Sequence, residues 1–418
     1  MLAVLALGYA TVERATLKRV KRTDLTVYLA AAGAVLRGGE RLYQVTNERG
    51  WHYTMPPLFA VLFAPFGLLP PPAAAALWYA LTMGALALSL ALIARLVGAH
   101  GRAVSRAWWW LPLLVCVDPI LDIITRSQLG IVMLALCVLA LWLHGEGKPF
   151  AAGVVVALAT TLKVYSGLLV LCFLRRRDAR PCSDAAGFAA FAGAIPAAAF
   201  GVPLAARHWA FWFTRVVLPF LQSRDGARPF DELQDPMIAK NQSLYGTLSH
   251  LVRLVRGERY QPGPVLKVVV VMASLALVGA IWQALRPRGA PTSRTRACLE
   301  WSLPMMFGPA VVPAAWSHYY TLLVFPLAVA VAELQASVAD PVRTTLKRSL
   351  ITVGGLAFVY ALTSLIRPAF NQECFALDLV MAVRSAGLFC WAALILGMAF
   401  IRILARLDAA PGGRRATR

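Results

Sequence analysis

Apolar runs of 11 to 26 residues recur along almost the whole 418-residue chain. Lipid offers the backbone no hydrogen-bond partners, so each such run must satisfy its own N–H and C=O groups, and an α-helix does this within one segment. The runs fall at 72–97, 107–117, 129–143, 150–174, 185–204, 263–285, 297–311, 319–334, 349–366 and 386–405. They predict an all-α polytopic membrane protein, with 1–418 as a single integral membrane domain. Composition agrees: 59% of residues are hydrophobic and only 15% charged, against roughly 25% charged in a soluble domain. A soluble enzyme, a disordered tail and a fibrous protein are all excluded.

Several runs are short, and 150–174 carries Lys163 and Ser166 in its middle. It reads as two short helices meeting near Lys163. Counting it twice, and adding the end of a first span at Met1–Thr11, gives about twelve passes. Met1–Thr11 lacks the basic start of a signal peptide and is too short to cross alone. The stretch Met55–Pro70 begins with Pro56-Pro57 and suits an interfacial or dipping helix.

The chain carries a net charge of +21. The basic residues gather in short loops between apolar runs, where they set topology and meet anionic headgroups, so nucleic acid is not the expected partner. Arg95 with Arg102 and Arg106, Arg175–Arg177 with Arg180, Arg286 to Arg296, Arg343 with Lys347 and Arg348, and the tail at Arg414 all fall on one side. That side is cytoplasmic by the positive-inside rule. The predicted location is the inner (plasma) membrane, multi-pass. Its outer face receives two long loops, 12–71 and 205–261, and shorter ones at 118–128, 312–318 and 367–385. The basic run Arg14–Arg22 goes against the rule, which long loops escape. The seven cysteines sit far apart without metal-ligand spacing, which predicts buried packing. No metal or other cofactor is expected: no HExxH, nucleotide loop or GxSxG is present.

The outer loops hold the candidate chemistry. Asp24 begins a probable helix in Arg22-Thr23-Asp24-Leu25-Thr26-Val27-Tyr28. It reads either as a capping carboxylate or as a base able to take a proton from an alcohol. Asp118 and Asp122 are four apart, on one face if helical, and are followed by Arg126, Ser127 and Gln128. The carboxylate pair could hold a divalent ion, although nothing nearby supplies further ligands. Lys163 is the only lysine deep in an apolar run; it reads as functional or as a side chain that snorkels to the interface. Arg126 and Lys163 together could meet a phosphate. Lys240-Asn241-Gln242-Ser243 suits hydroxyl-rich ligands or a plain turn. His318 in Trp316-Ser317-His318-Tyr319-Tyr320 suits a phosphate contact or an aromatic belt.

Taken in order, Asp24-x-x-x-Tyr28, Tyr53-x-x-Pro56-Pro57-Leu58, Arg126-x-Gln128, Ala152-Gly153-x(9)-Lys163, Asn241-Gln242-Ser243 and Trp316-Ser317-His318 resemble the pattern of glycosyltransferase family 87. The likeness spans about 20–335. The family often shows G-Q-x-N where this chain has Ser127-Gln128-Leu129-Gly130, and K-x-x-P where it has Lys163-Val164-Tyr165-Ser166. The resemblance implies a GT-C membrane enzyme with interfacial helices in its first outer loop. It would move a hexose, mannose by family precedent, from a polyprenyl-phosphate donor to a hydroxyl of a glycolipid or glycan acceptor on the outer face. It implies Asp24 as catalytic base. It also implies that His318, Lys163, Gln128 and Asn241 line the donor and active site; Arg126, Tyr28, Arg22 and Tyr53 are further candidate substrate contacts. Two rival readings are a transporter or flippase of a lipid-linked or anionic substrate, and a lipid-linked glycan ligase or polymerase.

Overall fold

The computed structural model describes residues 2–16, 23–98, 107–175, 186–218, 237–238, 240–257, 260–285, 293–336, 340–366 and 375–409. Arg22, Cys182 and Cys374 lie outside them. Among the described residues the regular structure is helical, and the one β contact is an isolated Thr46–His52 bridge.

In chain order the α-helices are α1 (Leu2–Thr16), α2 (Leu25–Leu36), α3 (Pro57–Phe63), α4 (Pro71–Gly98), α5 (Ala107–Val115), α6 (Val117–Arg126), α7 (Gly130–Gly145), α8 (Pro149–Leu162) and α9 (Val170–Arg175). Next come α10 (Ile195–Phe200), α11 (Val202–Phe211), α12 (Leu244–Arg256), α13 (Pro264–Ala284), α14 (Arg294–Val311), α15 (Val324–Ala336), α16 (Asp340–Ile366), α17 (Phe375–Ser385) and α18 (Leu388–Ala409). Among the described residues five spans are long and apolar enough to cross a bilayer unaided: α4, α13, the Ser317–Ala336 segment containing α15, most of α16, and the segment containing α18. A sixth is added if the bent pair α6–α7 counts as one. The remaining apolar segments are shorter or interrupted.

The interruptions have local causes. Pro56 and Pro57 open α3, where the missing N–H costs nothing, and a 3-10 turn, Ala64–Leu68, ends it. Lys163 is extended, with φ −145° and ψ 108°, and separates α8 from a 3-10 turn at Val164–Leu169. The 150–174 run is thus two helical pieces broken at its lysine.

α14 is the central helix: every residue from Cys298 to Ala310 is buried. Its neighbours reach it through small residues. A Cβ on Gly308 would stand 2.7 Å from the Tyr165 carbonyl oxygen, and one on Gly397 would meet the Phe307 ring. Close backbone approach of this kind is how helices associate where lipid removes the hydrophobic drive. α13 is the opposite case. Val265, Val268, Val269, Met272 and Leu275 are all exposed, a face suited to lipid rather than water. Cys116, Cys137, Cys172, Cys298 and Cys390 are buried thiols outside any disulfide.

At one end of the bundle Arg296 of α14 binds Glu300 Oε1 at 2.7 Å and Asp408 Oδ1 of α18 at 2.5 Å. Arg95, at the end of α4, and Arg294 line a common groove at this end. Charges from three of the predicted cytoplasmic segments therefore meet in space.

Candidate active site

The opposite end gathers the polar residues of the first outer loop, the α6–α7 corner, the Lys163 break and the 313–320 loop. Asp24 occupies the N-cap position of α2, but its carboxylate makes no bond to the first turn. Instead Gln128 donates its side-chain amide to Asp24 Oδ2. The backbone joins the same elements, because Asp24 N–H donates to the Arg126 carbonyl at 3.0 Å. Capping is thus not what occupies the carboxylate. Burial raises the Asp24 carboxyl from 3.8 to about 6, against the downward pull of Arg126, Lys163 and the Gln128 bond. Two cations close enough to act on it do not overcome its desolvation.

Gln128 reaches Asp24 because the chain turns by 117° between α6 and α7. Ser127 makes that turn in the left-handed region, at φ 62°, where a non-glycine residue is uncommon. The strain is held from outside: the indole of Trp78 donates to the Ser127 carbonyl at 3.1 Å. Gly130 opens α7 where a Cβ would stand 2.8 Å from the His318 carbonyl oxygen and 2.5 Å from Ile123. Only a bare backbone lets α7 approach the 317–323 turn this closely.

Asp122 bridges two candidates. Its Oδ1 accepts from Arg126 Nε at 2.5 Å and its Oδ2 lies 3.0 Å from His318 Nδ1. His318 is 5% exposed. Lys163 Nζ donates to the Tyr319 hydroxyl at 3.2 Å and lies 4.7 Å from that ring's centre. Tyr28 is buried edge-on to Phe59, near Asp24, Tyr53 and Tyr319; burial and the Asp24 charge push its hydroxyl well above its usual range.

Two candidates are committed elsewhere. The Tyr53 hydroxyl, fully buried, donates to the Pro56 carbonyl at 2.9 Å. Asn241 accepts from the backbone of Ser243 and Ala315 and donates to the Pro313 carbonyl. Gln242 and Ser243 extend this clamp to Ala315, Pro313 and the Arg384 carbonyl. The Asn-Gln-Ser triplet therefore fixes the loop that carries His318. Arg22 lies outside the described residues.

Asp118 does not share a ligand with Asp122. It accepts from Ser364, which itself accepts from Arg384. Among the described residues no three of His, Cys, Asp and Glu are placed to share a metal ion. Sequence reasoning missed the Asp118–Ser364–Arg384 chain, which joins residues 246 positions apart. It read Asp122 only as a possible metal ligand. The spacing of Asp122 to Arg126, one turn apart, was the available signal.

The family model for glycosyltransferase family 87 matches residues 51–313. The chain belongs to glycosyltransferase family 87. Gln128, Arg126, Lys163 and Asn241 fall within the matched range, and Asp24 and His318 flank it. Curated relatives agree. A Mycobacterium tuberculosis protein named polyprenol-phosphate-mannose-dependent alpha-(1-2)-phosphatidylinositol mannoside mannosyltransferase is 28% identical over 341 residues, covering 77% of this chain and 72% of its own. Its Mycolicibacterium smegmatis counterpart is 28% identical, covering 75% and 70%. A second M. tuberculosis protein, the corresponding phosphatidylinositol pentamannoside mannosyltransferase, is 25% identical, covering 72% and 64%. No solved structure matches this family 87 chain. It is a membrane glycosyltransferase.

Proposed function

We propose that this enzyme transfers mannose from a polyprenyl-phosphate carrier to a hydroxyl of a glycolipid, by a single displacement at the outer membrane surface. One observation carries the reading. The Asp24 carboxylate is free of its helix, held by Gln128, and set beside Arg126 and Lys163. The relatives' names supply the donor, and their phosphatidylinositol mannosides supply the acceptor class.

In this mechanism the acceptor oxygen attacks the anomeric carbon as its proton passes to Asp24. The bond from that carbon to the phosphate oxygen breaks, and the electron pair leaves with polyprenyl phosphate. The anomeric centre inverts, so no second carboxylate is needed as a nucleophile. A base near 6 is largely ionised at neutral pH yet basic enough to accept a proton. Lys163, Arg126 and His318 oppose the charge that grows on the departing phosphate. Asp122 acts as a positioning residue, fixing His318 and Arg126 from one carboxylate. The carrier's tail stays in the bilayer. The described parts of 12–71 and 205–261 are tied together: His208 Nε2 donates to the Gly39 carbonyl at 3.0 Å and the Trp212 indole donates to the Thr54 carbonyl. About twelve passes in a GT-C arrangement, counting the shorter helical pieces, complete the proposal.

The test is to incubate membranes containing the enzyme with labelled polyprenyl-phosphate mannose and to weigh the product lipids. One added hexose on a glycolipid is expected. Label that crosses the membrane without covalent change would establish a transporter instead.

A further inference from the structure

Three helices that begin or end at the candidate active site run to the other end of the bundle. From Trp78, Arg95 is about 26 Å further along α4, and Glu146 is about 24 Å beyond Gly130, at 1.5 Å per residue. Arg294, at the start of α14, is about 26 Å from that helix's end by the same rise. There the three helices enclose a groove of about 630 Å³ lined by Ala94, Arg95, Gly98, Trp142, Glu146 and Arg294. Among the described residues, neither Arg95 nor Arg294 makes an ion pair.

We propose that this groove binds the headgroup of an anionic phospholipid whose headgroup carries hydroxyls. The two guanidiniums would take the phosphodiester oxygens, since planar paired donors match phosphate. Glu146 disfavours a bare phosphate and offers an acceptor for a headgroup hydroxyl. Half-buried Trp142 supplies an indole, the side chain enriched at membrane interfaces. The lipid origin follows from α4. Leu81, Leu88 and Arg95 are seven apart, so they share one helix face, and both leucines are exposed. An acyl chain can lie along Leu88 and Leu81 while its phosphate meets Arg95. Basic pockets between helices on the cytoplasmic side recognise anionic lipids in this way. That the groove is cytoplasmic rests on the orientation proposed above; the binding itself does not depend on sugar transfer.

The experiment uses the full chain, delipidated in detergent, with phosphatidylglycerol, phosphatidylcholine or inorganic phosphate as probes, and native mass spectrometry as readout. Phosphatidylglycerol should bind, and the R95A/R294A variant should bind it at least tenfold more weakly. The R253A/R256A variant, which removes two arginines of α12, should bind normally. If the alanine pair fails to fold, R95Q alone should still weaken binding severalfold. Equal binding of phosphatidylcholine, equal loss in R253A/R256A, or full displacement of lipid by millimolar inorganic phosphate would overturn the proposal. Sugar transfer assayed separately tells this outcome from a failure of the enzymatic reading.

Discussion

Asp24→Asn should abolish transfer and stabilise the fold at the same time. Asparagine keeps the shape and an oxygen that can accept from Gln128, but it carries no charge to desolvate. The carboxyl moves from 3.8 to about 6 on folding, so its ionised form costs about 3 kcal/mol at neutral pH. Because the folded value is raised, this group adds stability below about pH 4 and loses it as pH rises through about 6. The Asp24 carboxyl should therefore lower the wild-type unfolding temperature at pH 8 relative to pH 5. Asp24→Asn should remove that difference and raise the pH 8 midpoint by several degrees. The assay is thermal unfolding of detergent-solubilised protein at both pH values, beside mannose transfer in vesicles. A variant that unfolds earlier than wild type at pH 8, or one that retains transfer, would refute the reasoning.

Three further outcomes follow from the same geometry. The kcat/KM of the wild-type enzyme should fall about tenfold per pH unit below a midpoint near 6, read from transfer rates between pH 4.5 and 8. Lys163→Met should raise the donor KM at least tenfold with the protein still inserted, as donor saturation curves would show, because the Nζ held at Tyr319 beside Asp24 is lost. Gly130→Ala should destabilise by about 1–3 kcal/mol, measured by thermal unfolding, since the new methyl meets the His318 carbonyl.

The helical architecture was legible because lipid leaves an apolar run few alternatives, and α4, α13 and α18 lie close to the runs that predicted them. The break at Lys163 was legible because an ammonium in the middle of an apolar run interrupts the pattern. The 117° corner was not: Ser127 is an ordinary residue in sequence, and its left-handed backbone depends on Trp78, 49 positions earlier. Asn241 shows the same limit. Its residue type suits a sugar or a turn equally, and only the folded positions of Pro313 and Ala315 show that its amide holds backbone. Asp122 carried no family signal; its tie to His318 spans 196 positions.

Asp24 and Asp122 stand among Arg126, Lys163 and His318, so the cluster is close to electrically even before any carrier enters. In the proposed mechanism Asp24 takes up the acceptor's proton, which tips that balance by one positive charge. At the same moment the spent carrier gains one negative charge. On that mechanism the proton taken up during transfer also helps to hold the spent carrier, and a new cycle requires it to be handed on to water.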